Sequence, residues 1–295
     1  MNKSRWTSAV LEHRQPLAPM ETSVVAETQR LPQIKAVVFD VYGTLVVSGS
    51  GDVGSADQTS HDDIILQSMQ AAGIVPESNK TPTTKMLHGH IEKMNADRHG
   101  PSCPKPEVDI VEAWRRTLHE SHISIDDLTT KSVVQLAANF EARANPTWPM
   151  PGSSELLRQL AGAGLPLGIV SNAQEFTPCL VENLLDSQTL SEGGFDLDLC
   201  VFSNRFRHAK PGPRLFDALR EGLARRKILP HEAIYVGNDM LNDIWAASQA
   251  GMRTAWFAGD ARSCRPRGDD PRCRSLRPDV VLTNLMQLLD CLDLQ

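Results

Sequence analysis

The sequence predicts an α/β protein with a mostly parallel sheet, helices on both faces and a helical insert after the first strand. Three observations carry this. Six short apolar runs rich in β-branched residues are separated for the most part by amphipathic helical patterns. Residues 46–150 break that rhythm with helical patterns and little strand signal. Polar clusters fall where four of the apolar runs end, the edge of an open α/β sheet at which ligands sit.

The first run, Ile34-Lys35-Ala36-Val37-Val38-Phe39, reads as a buried strand presenting Asp40 at its C-terminal tip, followed by Val41-Tyr42-Gly43-Thr44-Leu45. After the Gly/Ser-rich link Ser48–Ser55, helices are expected over Asp62–Ala72, Pro82–Arg98 (capped by Thr81), Glu107–Glu120 and Ile125–Arg143. Asn145-Pro146 and Pro149–Gly152 return the chain to the sheet. Further strands are expected at Pro166–Val170, Leu199–Phe202, Ala233–Val236, Arg253–Phe257 and Asp279–Leu282. A helix with a serine cap starts at Gly152–Glu155 and ends at Gly162 and Gly164. Another spans Arg214–Lys227, with Leu215, Phe216, Leu219 and Leu223 on one face. Asn242–Ala250 and Leu285–Leu292 supply two more. The division that follows is a polar, poorly ordered arm over 1–30, a sheet core over 31–47 and 147–295, and a helical insert over 48–146 that would cover Asp40 as a lid.

Composition narrows the class. The chain has 295 residues, 41% hydrophobic and 22% charged, with a formal net charge of −6, which argues against a general nucleic-acid binder. The arginines between Arg262 and Arg277 read as a solvated surface loop. Six cysteines show no CxxC pair or zinc-like spacing, and residues 1–30 lack the basic and apolar regions of a signal peptide, with Met20 an alternative start. No run approaches eighteen apolar residues. The expectation is a cytoplasmic protein with no membrane or nucleic-acid partner; its oligomeric state is not legible.

The chemistry-bearing residues are Asp40, Ser171-Asn172, Lys210-Pro211 and Gly237-Asn238-Asp239-Met240-Leu241-Asn242-Asp243, each after a predicted strand. A carboxylate nucleophile splits a difficult displacement into two easier steps, provided a cation and hydrogen-bond donors meet the developing charge. Ser171, Lys210 and the backbone after Asp40 can supply those. Asp40, Asp239 and Asp243 suit a hard cation such as Mg²⁺.

Over roughly residues 34–292 these elements resemble the haloacid dehalogenase superfamily of hydrolases, in the branch with a helical cap between its first and second motifs. The resemblance implies a Rossmann-like three-layer αβα core. It implies that Asp40 is the nucleophile, that Ser171 binds substrate oxygens and that Lys210 orients the nucleophile and screens charge. Tyr42, Gly43, Thr44 and Asn172 then fall at substrate-binding positions, and Asp40, Tyr42, Asn238, Asp239 and Asp243 form the expected Mg²⁺ set.

The pattern departs in two places. Phosphatases of the family carry Asp two residues after the nucleophile, where this chain has Tyr42, a poor base with a reference pKa near 10. The Asp-x-Tyr-Gly-Thr form is typical of the family's 2-haloacid dehalogenases, whose halide leaves without a proton. The longer spacing of Gly237–Asp243 is instead the Mg²⁺ type, although Asn238 stands where the metal-binding Asp is usual. Two carboxylates about 4 Å apart repel by roughly 4 kcal/mol at an effective dielectric of 20, which a metal would relieve. That argument selects a Mg²⁺-dependent phosphohydrolase acting on a small phosphorylated anion. The alternatives are a metal-independent 2-haloacid dehalogenase and a non-catalytic phospho-ligand binder. His88, His90, Lys93, Arg98, His99, Arg115 and Arg116 in the insert, with Arg205, Arg207 and His208, are the candidate anion contacts.

Overall fold

The computed structural model describes residues 9–13, 15–50, 61–75, 81–124 and 129–294. Its centre is a six-stranded sheet of β1 (Ala36–Phe39), β4 (Leu167–Ser171), β5 (Phe195–Phe202), β6 (Ala233–Gly237), β7 (Arg253–Phe257) and β8 (Val280–Leu282), in the order β5-β4-β1-β6-β7-β8. Every pairing in it is parallel. β1 is buried on both faces, as its unbroken apolar run requires, with Phe39 level with Ile169 on one side and Val236 on the other. The chain leaves β1 in one direction through β4 and β5, then returns to its other side for β6 to β8. The crevice made by that reversal lies beyond the tips of β1, β4 and β6, where Asp40, Ser171 and Asn238 stand.

Helices close both faces. Leu156, Leu157 and Leu160 of the helix Ser153–Gly162 join one apolar cluster. Leu215, Phe216, Leu219 and Leu223 of Arg214–Arg225 join the other, as their spacing predicts. The serine cap predicted for the former helix is not formed: Gly152, at φ 81°, is its N-cap, without a side-chain cap bond.

Between β2 (Val46–Ser48) and β3 (Thr147–Pro149), an antiparallel pair, the chain forms the helices Asp62–Ala71, Thr84–Arg98, Ile110–Glu120 and Thr130–Ala144. Thr83, not Thr81, caps the second, and Asp109 caps the third. The predicted start of the fourth, at 125–128, lies outside the described residues. Trp114 and Phe140 meet edge to face, 5.2 Å between ring centroids, and seal the third helix against the fourth. The β2–β3 ribbon escaped the sequence because its three-residue strands are too short for alternation to register.

The expected disordered arm is corrected over its described part from residue 15. Glu27 exchanges backbone hydrogen bonds with Val281 at 2.9 and 2.8 Å, Met20 N–H donates to Asp260, and Thr22 donates to the Ala258 carbonyl. The physical reason at Glu27 is the free edge of β8, whose unpaired Val281 backbone groups it satisfies, while Met20 and Thr22 bond to the loop after β7. Backbone pairing needs no apolar periodicity, so composition gave no sign of it. Glu27→Pro, which removes the donor N–H, should cost about 1–2 kcal/mol in urea unfolding while Glu27→Ala stays near neutral. Equal stability of the two variants would show that this pairing contributes nothing.

Candidate active site

Asp40 extends β1 by one residue, its N–H donating to the Val236 carbonyl at 2.9 Å, so the sheet itself fixes where the carboxylate begins. Lys210 reaches it from the loop after β5. Its Nζ lies 2.9 Å from Asp40 Oδ1 and 2.5 Å from Asp243 Oδ1, and also donates to the Tyr235 hydroxyl (2.9 Å) and the Val170 carbonyl (3.1 Å). The Lys210 and Asp243 side chains are 2% and 1% exposed, against 12% for Asp40, so of the three Asp40 is the most open to the crevice that they line together. Burial pulls the lysine pKa down, but Asp243 and Asp40 outweigh it and hold the ammonium protonated above the ordinary lysine range. Burial and the Asp40 and Asp239 charges push Asp243 upward, while Lys210 pulls it back.

Gly237 permits this arrangement. A Cβ there would lie 2.4 Å from Asp243 Cγ, so any other residue would displace the carboxylate. The chain then makes a π-helical turn over Met240–Trp245. Asn172 accepts the Lys210 N–H through Oδ1 at 2.8 Å, positioning the lysine loop, and Ser171 lines the same crevice. Tyr42 also lines it, but its hydroxyl pairs with Thr177 at 3.1 Å. Burial, then the Glu141 charge, raises its pKa beyond any working pH, with Thr177 opposing, so Tyr42 is a neutral phenol rather than a base.

Gly43, at φ 75°, allows a second close approach: a Cβ there would lie 2.6 Å from Ser263 Cβ. The loop after β7 therefore packs directly on the turn after Asp40. Asn238 joins the two. Its Oδ1 accepts from Thr44 (3.1 Å) and its Nδ2 donates to the Ser263 carbonyl (2.6 Å), so Thr44 acts as a structural partner.

The expected Mg²⁺ set of Asp40, Tyr42, Asn238, Asp239 and Asp243 is not assembled. The Asn238 amide is committed to Thr44 and Ser263. Asp239 Oδ1 caps the following turn through the N–H groups of Leu241 and Asn242. Arg267 grips Asp239 through Nε and Nη2, the latter 2.6 Å from Oδ2. Asp243 Oδ1 serves Lys210 and Tyr235, and its Oδ2 accepts the Asp239 N–H at 2.9 Å. Among the described residues no three His, Cys, Asp or Glu side chains converge as a metal site. A hard cation asks for several carboxylate oxygens turned toward it, and these donors do not fit that demand. Protein cations provide the charge relief that the sequence assigned to Mg²⁺.

A second cavity of about 400 Å³ adjoins the crevice, sharing Asn172, Lys210 and Asn242 and adding Asn95, Lys105, Glu107, Glu141 and Arg267. None of the cationic and histidine candidates at 88–99, 115–116 and 205–208 lines either space. His90 pairs with Glu120, Arg116 with Glu112, and Arg207 with Asp109.

Sequence reasoning missed Tyr235, Glu107, Arg265 and Arg267. Tyr235 alone left a trace, as a hydroxyl-bearing residue within the apolar run Ala233–Val236. Its OH donates to the Val170 carbonyl at 2.7 Å and ties β6 to β4 beneath Lys210. Glu107 docks the insert on the core. It accepts from Ser203 Oγ (2.7 Å), Gln174 Nε2 (3.0 Å) and the Val108 N–H (3.1 Å).

With this geometry in view, a family profile of haloacid dehalogenase-like hydrolases matches residues 34–251. The chain belongs to that family. Haloacid dehalogenase-like hydrolase domain-containing protein 3 of Xenopus laevis is 31% identical over 140 residues, 47% of this chain and 52% of that protein. The chain spans only about half the length of that relative and 58% of a second, the rhythmically expressed gene 2 protein of Drosophila melanogaster. An (S)-2-haloacid dehalogenase of Pseudomonas fluorescens is 24% identical over 229 residues, 77% of this chain and 86% of that enzyme. The solved 2-haloacid dehalogenase of Pseudomonas syringae pv. Tomato DC3000 shares the fold, with a TM-score of 0.57 and 23% identity over 88% of this chain and 97% of its own. The parallel six-stranded Rossmann-like sheet matches its neighbours in this hydrolase superfamily.

Two expectations follow. Lys210→Met leaves two buried carboxylates without their cation and should destabilise the fold by about 3–5 kcal/mol in denaturant unfolding; a loss under 1 kcal/mol would mean the charges are solvated. Burial pushes Glu107 up to about 7, against the pull of its hydrogen bonds and Arg207. Folding therefore favours its protonated form, a contribution of roughly 3 kcal/mol that is complete below the ordinary glutamate range and lost as pH rises through 7. Glu107→Gln keeps the neutral form, so its stability relative to the parent should improve between about pH 5 and pH 8. Parallel stability curves would refute the shift.

Proposed function

We propose that this hydrolase uses Asp40 as a nucleophile, without a divalent cation, to displace the halide of a small 2-halocarboxylate. The observation that carries the reading is the Lys210 ammonium between Asp40 and Asp243, with the remaining acid, Asp239, held by Arg267. Two of the protein's own cations thus face the three carboxylates of the acidic cluster. The neutral Tyr42, turned to Thr177, supports the same reading, because a halide departs as an anion and needs no proton.

In the first step an Asp40 oxygen forms a bond to C2 of the substrate as the carbon–halogen bond breaks, leaving an ester and a free halide. Lys210 holds the Asp40 carboxylate in place for attack. In the second step water attacks the ester carbonyl of Asp40. Asp243, carried by the same ammonium, takes the proton, and the 2-hydroxyacid leaves with the Asp40 carboxylate restored. The helical insert serves as a cap over the crevice, with Glu107 and the Arg207–Asp109 pair fastening it to the loops after β4 and β5.

Chloride release from 2-chloropropionate should persist in EDTA and fall at least about 10⁴-fold in Asp40→Asn. EDTA-sensitive hydrolysis of an aryl phosphate with no chloride release would overturn this reading in favour of a metal-dependent phosphatase. Turnover of neither would leave a ligand-binding module.

A further inference from the structure

The loop after β7 brings one more charge to the crevice. Arg265 lines it together with Asp40, Ser171, Asn172 and Lys210. Its backbone is pinned to the turn after β6 from both sides: its N–H donates to the Asn238 carbonyl at 3.1 Å, and its carbonyl accepts from Met240 N–H at 2.9 Å. The side chain bonds only to backbone oxygens, Nη1 donating to the carbonyls of Arg262 (2.8 Å) and Cys264 (3.3 Å). Among the described residues Nε and Nη2 have no protein partner, and no carboxylate pairs with the guanidinium.

That free edge is the one that grips a carboxylate in two parallel hydrogen bonds. The same loop shows it in use two residues on, where Arg267 holds Asp239 through Nε and Nη2. Charge points the same way. Asp40 and Asp243 share the single cation of Lys210, and Arg267 cancels Asp239, so the crevice keeps one net negative charge that would repel an anionic substrate. Arg265 removes it.

We propose that Arg265 is the residue that binds the substrate's anionic group, a carboxylate seated on its Nε–Nη2 edge with the adjacent carbon turned to Asp40. This rests on Asp40 being the nucleophile only for the orientation, not for the binding. Nothing in the arginine-rich segment singled Arg265 out in sequence, since only the bridge to Asn238 and Met240 turns it inward. The crevice thereby selects substrates whose negative charge lies next to the reacting atom, and disfavours neutral haloalkanes.

The test is calorimetric titration of the full chain with propionate, which carries the carboxylate but no leaving group, and with inorganic phosphate in parallel. Propionate should bind the parent, bind Arg265→Gln at least tenfold more weakly, and bind Arg265→Lys at an intermediate level, because lysine keeps the charge without the fork. Thermal unfolding of both variants verifies that they are folded. For chloride release from 2-chloropropionate, Arg265→Gln should raise KM by a similar factor, with a smaller effect on kcat. Propionate binding that is undiminished in Arg265→Gln, or absent from the parent, would overturn the proposal, as would phosphate binding with no propionate binding. An inactive parent that still binds propionate through Arg265 would instead locate the failure in the nucleophile reading.

Discussion

One buried ammonium organises this molecule. The Lys210 ammonium donates to Asp243, Tyr235 and Val170 and pairs with Asp40, so a single side chain joins β1, β4 and β6 to the turn that follows β6. Each partner is buried or nearly so, and a carboxylate left alone there would cost several kcal/mol. The lysine can occupy the spot only because Gly237 leaves room for Asp243 and Asn172 fixes the lysine backbone. The site's electrostatics and its architecture are therefore one problem with one solution.

The loop after β7 completes the balance. Glycine at 43 lets Ser263 press on the turn after Asp40, and Asn238 stitches the two together. Arg267 then neutralises Asp239 from that loop, and Arg265 lines the same crevice as Asp40. An acidic cluster that reads as a cation site on paper becomes an arginine-balanced pocket in three dimensions. The distinction matters chemically: fixed guanidinium groups orient an oxyanion through directed hydrogen bonds, whereas a metal draws carboxylates and phosphate oxygens into its own coordination shell.

The insert is tied into the same network. Glu107 and its hydrogen-bond partners Ser203 and Gln174 lie just past β5 and β4, next to the residues that position Lys210. When Glu107 is ionised, the Ser203 hydroxyl donates to it; when protonated, it can donate to Ser203 in turn, whose own proton then faces the Ala173 carbonyl 3.2 Å away. A buried carboxyl satisfied in both states tolerates burial that would otherwise be prohibitive.

The sequence by itself determined the sheet, most of the helices, and the convergence of Asp40, Ser171, Asn172, Lys210 and Asp243. Unbroken apolar runs specify buried parallel strands, and residues that end such strands must share one edge. It also showed Tyr42 standing where an acid two residues after Asp40 was the alternative. Only the tertiary structure decided how the charges pair. Asp239 and Asn238 sit in the spacing of metal ligands, yet their side chains turn to Arg267 and to Thr44 and Ser263, residues far away in sequence. The docking of the segment around Glu27 on β8 was equally hidden, because backbone pairing leaves no mark on side-chain pattern. Local periodicity reports which face a residue occupies; which partner its charge finds depends on loops that meet only once the sheet is closed.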